Sequence, residues 1–262
     1  MMASVRPVGD LLREWRQRRR LSQLDLASEA EISTRHLSFL ETGRSQPSRD
    51  TVLHLAEQLE VPLRDRNVLL QAAGYAPVFP ERPLGDPALR AARQAIEQVL
   101  AGHEPNPALA VDRHWTLIAS NSATRRLLAG ADPTLLRPPV NVLRLALHPQ
   151  GLAARTANLG EWRGHLLARL RRQIDISGDP VLVRLLRELR DYPCADDAHG
   201  VERDATAVAV PFRLVTDGGV LAFFSTTTVF GTPVDITLSE LAVEAFFPAD
   251  RHTAEALRRL AG

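Results

Sequence analysis

The stretch Ser22-Gln23-Leu24-Asp25-Leu26-Ala27, then Ile32-Ser33, then Leu37-Ser38-Phe39-Leu40-Glu41-Thr42-Gly43-Arg44 decides how the first part of the chain folds. Two helices that cross steeply need a small residue where they approach, apolar side chains inside and a short turn between them. Ala27 supplies the small contact, Leu26, Ile32, Leu37 and Leu40 the inner side chains, and Glu31-Ile32-Ser33 the turn. Ser22 and Ser33 suit helix N-termini, because a short hydroxyl side chain accepts from a backbone N–H that has no partner within the helix. Gly43 suits the end of the second helix, where the chain turns through a left-handed residue.

Working outward, Leu11, Leu12, Trp15 and Arg19 share one face of a preceding helix. Pro47-Ser48 opens a fourth helix carrying Val52, Leu55, Ala56 and Leu59, and Pro62 opens a fifth over 63–73, stopped by Gly74. Residues 8–74 therefore predict five short helices in close succession. Pro77, Pro80, Pro83 and Pro87 come within eleven residues, a semi-rigid linker in which Asp86-Pro87 starts a helix running to about Ala101.

Beyond Gly102 the pattern changes. Residues 108–111 and 115–119 are β-like runs that suggest a hairpin, and helical patterns occur near 121–129, 141–147, 160–176 and 180–190. The last third, over 205–215, 219–230 and 241–247, is dense in Val, Phe and Thr and reads as strands, and Asp250 caps a closing helix through Leu257 and Leu260. The predicted organisation is an all-α N-terminal domain over 1–76, a proline-rich linker and connecting helix over 77–104, and an α+β domain with an antiparallel sheet over 105–262.

Composition bounds the chemistry. The chain has 262 residues, 45% of them hydrophobic and 24% charged, values of an ordinary globular protein. No apolar run approaches the ~18 residues of a membrane span, and Arg13, Glu14 and Arg16 interrupt the first apolar stretch too early for a signal peptide. A cytoplasmic location is expected. Cys194 is the sole cysteine and the eight histidines are scattered, so neither a disulfide within the chain nor a metal site is expected. There is no glycine-rich phosphate loop, no Gly-x-Ser-x-Gly and no acid/base pair at a telling spacing, so no catalytic residue and no cofactor is expected. Asp235 and Glu244 are the carboxylates to examine, with solvated loop positions as the plain expectation for both. All 32 basic residues are arginine, first of all a signature of base composition, yet Arg13, Arg16, Arg18, Arg19 and Arg20 concentrate five positive charges in eight residues.

Residues 8–74 resemble the Cro/repressor-type (XRE) helix-turn-helix family. The resemblance rests on Ser-Gln-x-x-Leu-Ala (22–27), the Ile-Ser pair (32–33), Leu-Glu-x-Gly-Arg (40–44) and Pro-Ser-x-x-Thr-Val (47–52). It implies that the helix beginning near Ser33 enters a DNA major groove with its first residues facing base edges. Thr34, Arg35 and Ser38 then face bases, with Arg35 suited to a bidentate contact to guanine. His36 lies beside them, and Phe39 either touches a thymine methyl or packs inward. Gln23, Arg44 and Ser45 correspond to phosphate-contacting positions, and Arg18, Arg19 and Arg20 become candidate backbone contacts. Arg16 and Glu41 fall where the family carries an ion pair joining the first helix to the reading helix. The family acts on operators of paired half-sites, which implies a homodimer.

Residues 105–262 resemble the ligand-binding domain of MmyB-like transcription regulators, which is PAS-like: a curved antiparallel sheet over helices with an apolar cavity between. The resemblance rests on Ala-Leu-Ala-Val-Asp-Arg-His-Trp-Thr-Leu-Ile-Ala-Ser-Asn (108–121), Asn-Val-Leu-Arg-Leu (141–145), Phe-Gly-Thr-Pro-Val-Asp-Ile-Thr-Leu (230–238) and Glu-Ala-Phe-Phe-Pro-Ala-Asp (244–250). It implies a small apolar ligand such as a fatty acid. Candidate walls, all on predicted strands, are Trp115, Leu117, Phe212, Leu214, Phe223 and Val229; Arg213 or the 226–228 threonines would anchor a carboxylate. Because strands alternate sides, about half of these must face elsewhere. The reading that competes with a ligand sensor is a DNA-binding protein whose C-terminal domain only oligomerises or docks a partner protein.

Overall fold

Ser22, Ser33 and Ser48 each accept, through the side-chain hydroxyl, the backbone N–H three residues ahead, and each starts a helix. The computed structural model describes residues 6–194, 210–231 and 233–261. The chain divides into two compact units, the first holding the residues up to Arg82 and the second most of the remaining chain.

The first unit contains α1 (Val8–Arg18), α2 (Gln23–Glu29), α3 (Thr34–Glu41), α4 (Arg49–Gln58) and α5 (Leu63–Ala72). Ser22 and Asp25 form a reciprocal capping box, satisfying two backbone donors at the start of α2. Leu12, Leu26, Leu37, Leu40, Val52, Leu55, Leu59 and Leu70 have no exposed surface and form one core. The turn between α2 and α3 is held by Ile32 N–H donating to the Ala27 carbonyl at 2.9 Å, with Glu31 in the left-handed region at φ 52°. Gly43 ends α3 at φ 71°, as the sequence predicts.

Gly9 explains how α1 comes so near α3. A Cβ at this position would lie 2.5 Å from the Leu40 carbonyl oxygen and 2.7 Å from that of Glu41. Only a residue without a side chain lets the two helices touch here.

The second unit opens with a 3-10 turn, Pro87–Leu89, capped by Asp86, that leads into α6 (Arg90–Gly102). Next come β1 (Ala108–Val111), β2 (Leu117–Ser120), α7 (Ser122–Leu128), α8 (Val142–Leu147), α9 (Leu159–Ser177) and α10 (Pro180–Arg190). The chain then forms β3 (Phe212–Thr216), β4 (Gly219–Val229), α11 (Ile236–Ser239), β5 (Ala242–Pro248) and α12 (Arg251–Ala261). The sheet runs β2-β1-β5-β4-β3, every pair antiparallel, so the last strand in sequence lies at its centre. One face of the sheet joins α8, α9 and α10 in the larger core, which includes Leu143, Trp162, Leu170, Leu189, Leu221 and Phe223. Ile96 and Leu100 of α6 pack with Ala108, Ala110 and Val243 in a separate cluster.

The structure departs from the sequence reading at two places, and a third part of that reading lies outside the described residues. The strand expected from 205 is described only as β3 from Phe212, since 205–209 lie outside the described residues. The short helix α11 was not expected. Trp115, expected on a strand, instead occupies the turn between β1 and β2 at φ 66°. A bulky residue there is held against steric preference, at a cost of order 1–3 kcal/mol. Two amides within the turn, of His114 and Thr116, donate to one oxygen of Asp112 at 2.8 Å each and fix this conformation.

Replacing Gly9 by Ala should destabilise the first unit by about 1–3 kcal/mol, because overpacking against two carbonyls outweighs the better helix propensity of alanine. Urea unfolding followed by helical circular dichroism reads the change. A stabilised variant would show that α1 and α3 are not in backbone contact.

Candidate functional site

Helix α3 has two sides with different work to do. Inward, Leu37, Leu40 and Glu41 are buried. Glu41 is a carboxylate with no exposed side-chain surface, and it survives there because donors surround it. Arg16 Nε and Nη2 donate to its two oxygens at 2.6 and 2.8 Å, a bidentate pair linking α1 to α3. Gln23 Nε2 adds a third bond at 2.8 Å from α2. Burial pushes the Glu41 carboxyl up, but the hydrogen bonds from Arg16 and Gln23 and the charges of Arg16 and Arg13 prevail, and its pKa ends below the ordinary 4.5. The Arg16 guanidinium is raised in turn, chiefly by the same hydrogen bonds. The expected pair is present, and one carboxylate thus ties three helices together.

Outward, Ser33, Arg35 and His36 are exposed, and Thr34, Ser38 and Phe39 are half-buried. Ser33 is occupied as the cap of α3, its hydroxyl accepting the His36 N–H at 3.1 Å. Phe39 does not turn into the core. Its ring lies beneath two guanidiniums, Arg35 at 5.3 Å and Arg44 at 5.8 Å, cation–π distances at which an aromatic face steadies both charges. Arg44 is exposed and Ser45 half-buried just beyond the helix.

Three neighbouring residues expected at the DNA backbone also make contacts within the fold. Gln23, expected to meet a phosphate, spends one side-chain N–H on Glu41. Arg18 pairs with Glu14 at 2.9 Å. Arg19 donates to the carbonyls of Leu59 and Glu60 at 2.8 and 2.9 Å, closing the C-terminal end of α4 where carbonyls lack helical partners. The basic run of α1 is therefore partly structural.

The second unit contains a mostly apolar pocket, open to solvent at its mouth and lined from both the sheet and the helices. The sheet contributes Leu109, Phe212, Ser225, Glu244 and Phe246, and the helices contribute Leu128, Val142, Leu143, Leu145, Ala146, Trp162, Leu166 and Arg169. Leu117 of β2 and, between elements, Trp115 and Leu152 complete it.

Of the residues expected to form walls, Trp115, Leu117 and Phe212 line the pocket. Leu214 and Phe223 have no exposed surface and belong to the packed core. Val229 is 62% exposed near the end of β4 and is not a wall. Arg213 is exposed, because residues alternate along β3 and its neighbours Phe212 and Leu214 point inward, so it cannot anchor a ligand here. Thr226, Thr227 and Thr228 are also exposed.

The polar residues at the pocket are ones the sequence reading passed over or placed in solvent. Glu244 is not a loop residue but lies on β5, 4% exposed; Asp235, also buried, does not line the pocket. Arg169 of α9 donates to both oxygens of Glu244 and, through Nη2, to Thr227 Oγ1 at 2.8 Å. Its guanidinium lies 4.6 Å from the centre of the Trp115 ring, and the Trp115 indole N–H donates to Gln173 at 2.8 Å. The signal that could have revealed Arg169 is helical spacing: Trp162, Leu166 and Arg169 share one face of α9. Beside them His165 stacks on Trp162 at 5.3 Å, and burial together with the charges of Arg169 and Arg172 holds its pKa below the usual 6.5. Among the described residues no group of three His, Cys, Asp or Glu is placed to hold a metal, and no helix is long and apolar enough to cross a membrane.

Comparison with known proteins agrees with both halves. The profile described as the MmyB-like transcription regulator ligand binding domain matches residues 92–260, and one described as a helix-turn-helix domain matches 7–69. A putative HTH-type transcriptional regulatory protein of Methanoculleus marisnigri is 36% identical over 126 residues, 46% of this chain and 40% of that protein. An uncharacterized HTH-type transcriptional regulator of Bacillus subtilis is 40% identical over 76 residues, 29% of this chain and 52% of that protein. An HTH-type transcriptional regulator of Deinococcus deserti is 40% identical over 88 residues, 30% of this chain and 66% of that protein. The chain thus spans between two fifths and two thirds of the length of these relatives.

The lowered pKa of Glu41 carries a pH dependence. Its folded value lies below the ordinary 4.5, so its contribution to stability is present above that pH and is lost as pH falls through the folded value. Glu41→Gln should weaken the first unit at neutral pH by roughly 3 kcal/mol and flatten its loss of stability in acid. Hydrogen exchange of the α3 amides from neutral pH into acid measures both effects. A variant with the wild-type acid profile would show that Glu41 is not the group responsible.

Proposed function

The chain belongs to the MmyB-like transcription regulators, and from that membership we propose that it binds operator DNA through α3 and senses a small apolar ligand in its second unit. The observation that carries the DNA half is the division of α3. Its inner side is fixed by Arg16, Gln23 and Glu41, and its outer side presents Arg35 and His36 to solvent with Arg44 just past its end. A reading helix needs both, since base contacts specify only when the backbone that carries them does not move.

The ligand half is supported by the apolar pocket between sheet and helices, an arrangement in keeping with a PAS-like fold. Its walls suit an acyl chain such as that of a fatty acid. The protein works in this reading as a cytoplasmic homodimer on paired half-sites, without a metal or cofactor. The competing reading, a C-terminal domain that only oligomerises or docks a partner, draws on the outer sheet face. There Phe224, 39% exposed, stacks on Phe247, and Val215 and Val220 are also exposed.

Two experiments test this. Arg35→Ala should relax preference at one or two base positions. Arg44→Ala should weaken binding to all sequences and lower the salt slope by about one. Identical profiles on a base-substituted operator set would undo the division of roles. Native mass spectrometry of the purified chain should also show a captured apolar molecule, and adding it should change operator affinity roughly 5- to 150-fold, with operator changing its affinity by the same factor. Equal operator affinity with and without the molecule would favour the competing reading.

A further inference from the structure

We infer that the pocket selects an uncharged apolar ligand, one whose polar head is an amide, alcohol or similar group, over a fatty-acid anion. The inference rests on the ligand-sensing reading above and concerns the head group alone.

The charged residues lining the pocket are Arg169 and Glu244. They are already bound to each other: Nη1 donates to one Glu244 oxygen at 2.8 Å and Nη2 to the other. Thr227 adds a bond to the same carboxylate at 3.1 Å. The Glu244 side chain is 5% exposed and that of Arg169 24%. The polar end of the pocket therefore carries no net charge, and its cation is turned toward a carboxylate of the chain and a Trp115 ring.

A ligand carboxylate has two ways to reach this cation, and both are opposed. It can take Arg169 from Glu244, which leaves a buried glutamate without its counter-charge. Or it can sit beside Glu244 on the same guanidinium, placing two like charges together in a poorly solvated site. Neighbouring His165 does not supply a second cation, since burial and two arginines keep it neutral near pH 7. An uncharged head meets neither obstacle. A primary amide can donate to a Glu244 oxygen and accept from Ser225, a pocket residue on the β4 face that also carries Thr227.

The test compares two probes that share chain and head-group shape but differ by one charge. Full-length protein, stripped of captured lipid, is titrated calorimetrically with decanamide and with decanoate at about pH 7.5, where the acid is ionised. Decanamide should bind at least roughly tenfold more tightly, given the cost of burying an uncompensated carboxylate. Glu244→Gln removes the internal counter-charge, so decanoate should gain at least about tenfold and the preference for decanamide should narrow or reverse. The comparison in the unsubstituted protein stands whether or not the variant folds. Decanoate binding as tightly as decanamide to the unsubstituted protein would overturn the inference and leave the ligand-sensing reading intact. Binding of neither probe, with no captured molecule in the purified protein, would overturn both.

Discussion

Glu41 is a carboxylate without water, and the position of α3 depends on how that is resolved. Arg16 supplies two parallel hydrogen bonds from α1, and Gln23 a third from α2. Desolvation offsets much of what such a pair gains, so its value lies in geometry more than in net stability. A methionine and a leucine in these places could pack as well, yet they would let α3 slide. Two bonds from a planar fork to two oxygens fix both distance and rotation. Gly9 completes the arrangement by letting the backbone of α1 meet the carbonyls at the end of α3.

The second unit uses the same device for another end. Arg169 grips Glu244 as Arg16 grips Glu41, but here the pair borders a pocket and not a helix seam. The central place of β5 matters for this. A strand with neighbours on both sides has its backbone donors and acceptors occupied, so Glu244 can be presented inward from a rigid position between β1 and β4. Trp115 closes the arrangement from a strained turn, its ring against Arg169 and its N–H on Gln173. Strain kept in a turn that also lines a pocket is where a binding site is expected to store it.

Much of this was legible in the sequence, and the reason is locality. Three of the five helices of the first unit, α2, α3 and α4, announce themselves through Ser22, Ser33, Ser48 and Gly43, residues whose side chain or lack of one acts within three or four positions. The Arg16–Glu41 pair was legible because a family resemblance placed both. What escaped was set by contacts distant along the chain. Arg19 looked like a DNA contact but caps α4, forty residues on. Arg213 and Val229 looked like pocket residues because their strands are apolar, yet alternation and strand ends put them in solvent. Glu244 looked like a solvated acid because its partner, Arg169, is 75 residues away on a helix.

The absence of lysine, first a matter of base composition, takes on structural meaning at two positions. An ammonium is a compact point charge that can meet a carboxylate from many directions, whereas a guanidinium presents a fixed planar fork. At Arg16 the fork also leaves Nη1 free to donate to the Leu21 carbonyl at 2.9 Å, so one side chain holds the α1–α2 connection and α3 together. At Arg169 it leaves Nη2 shared between Glu244 and Thr227 while the flat face rests on Trp115. Lysine could neutralise either glutamate but could not do these further tasks, and a site where one side chain must neutralise, orient and stack at once calls for the guanidinium.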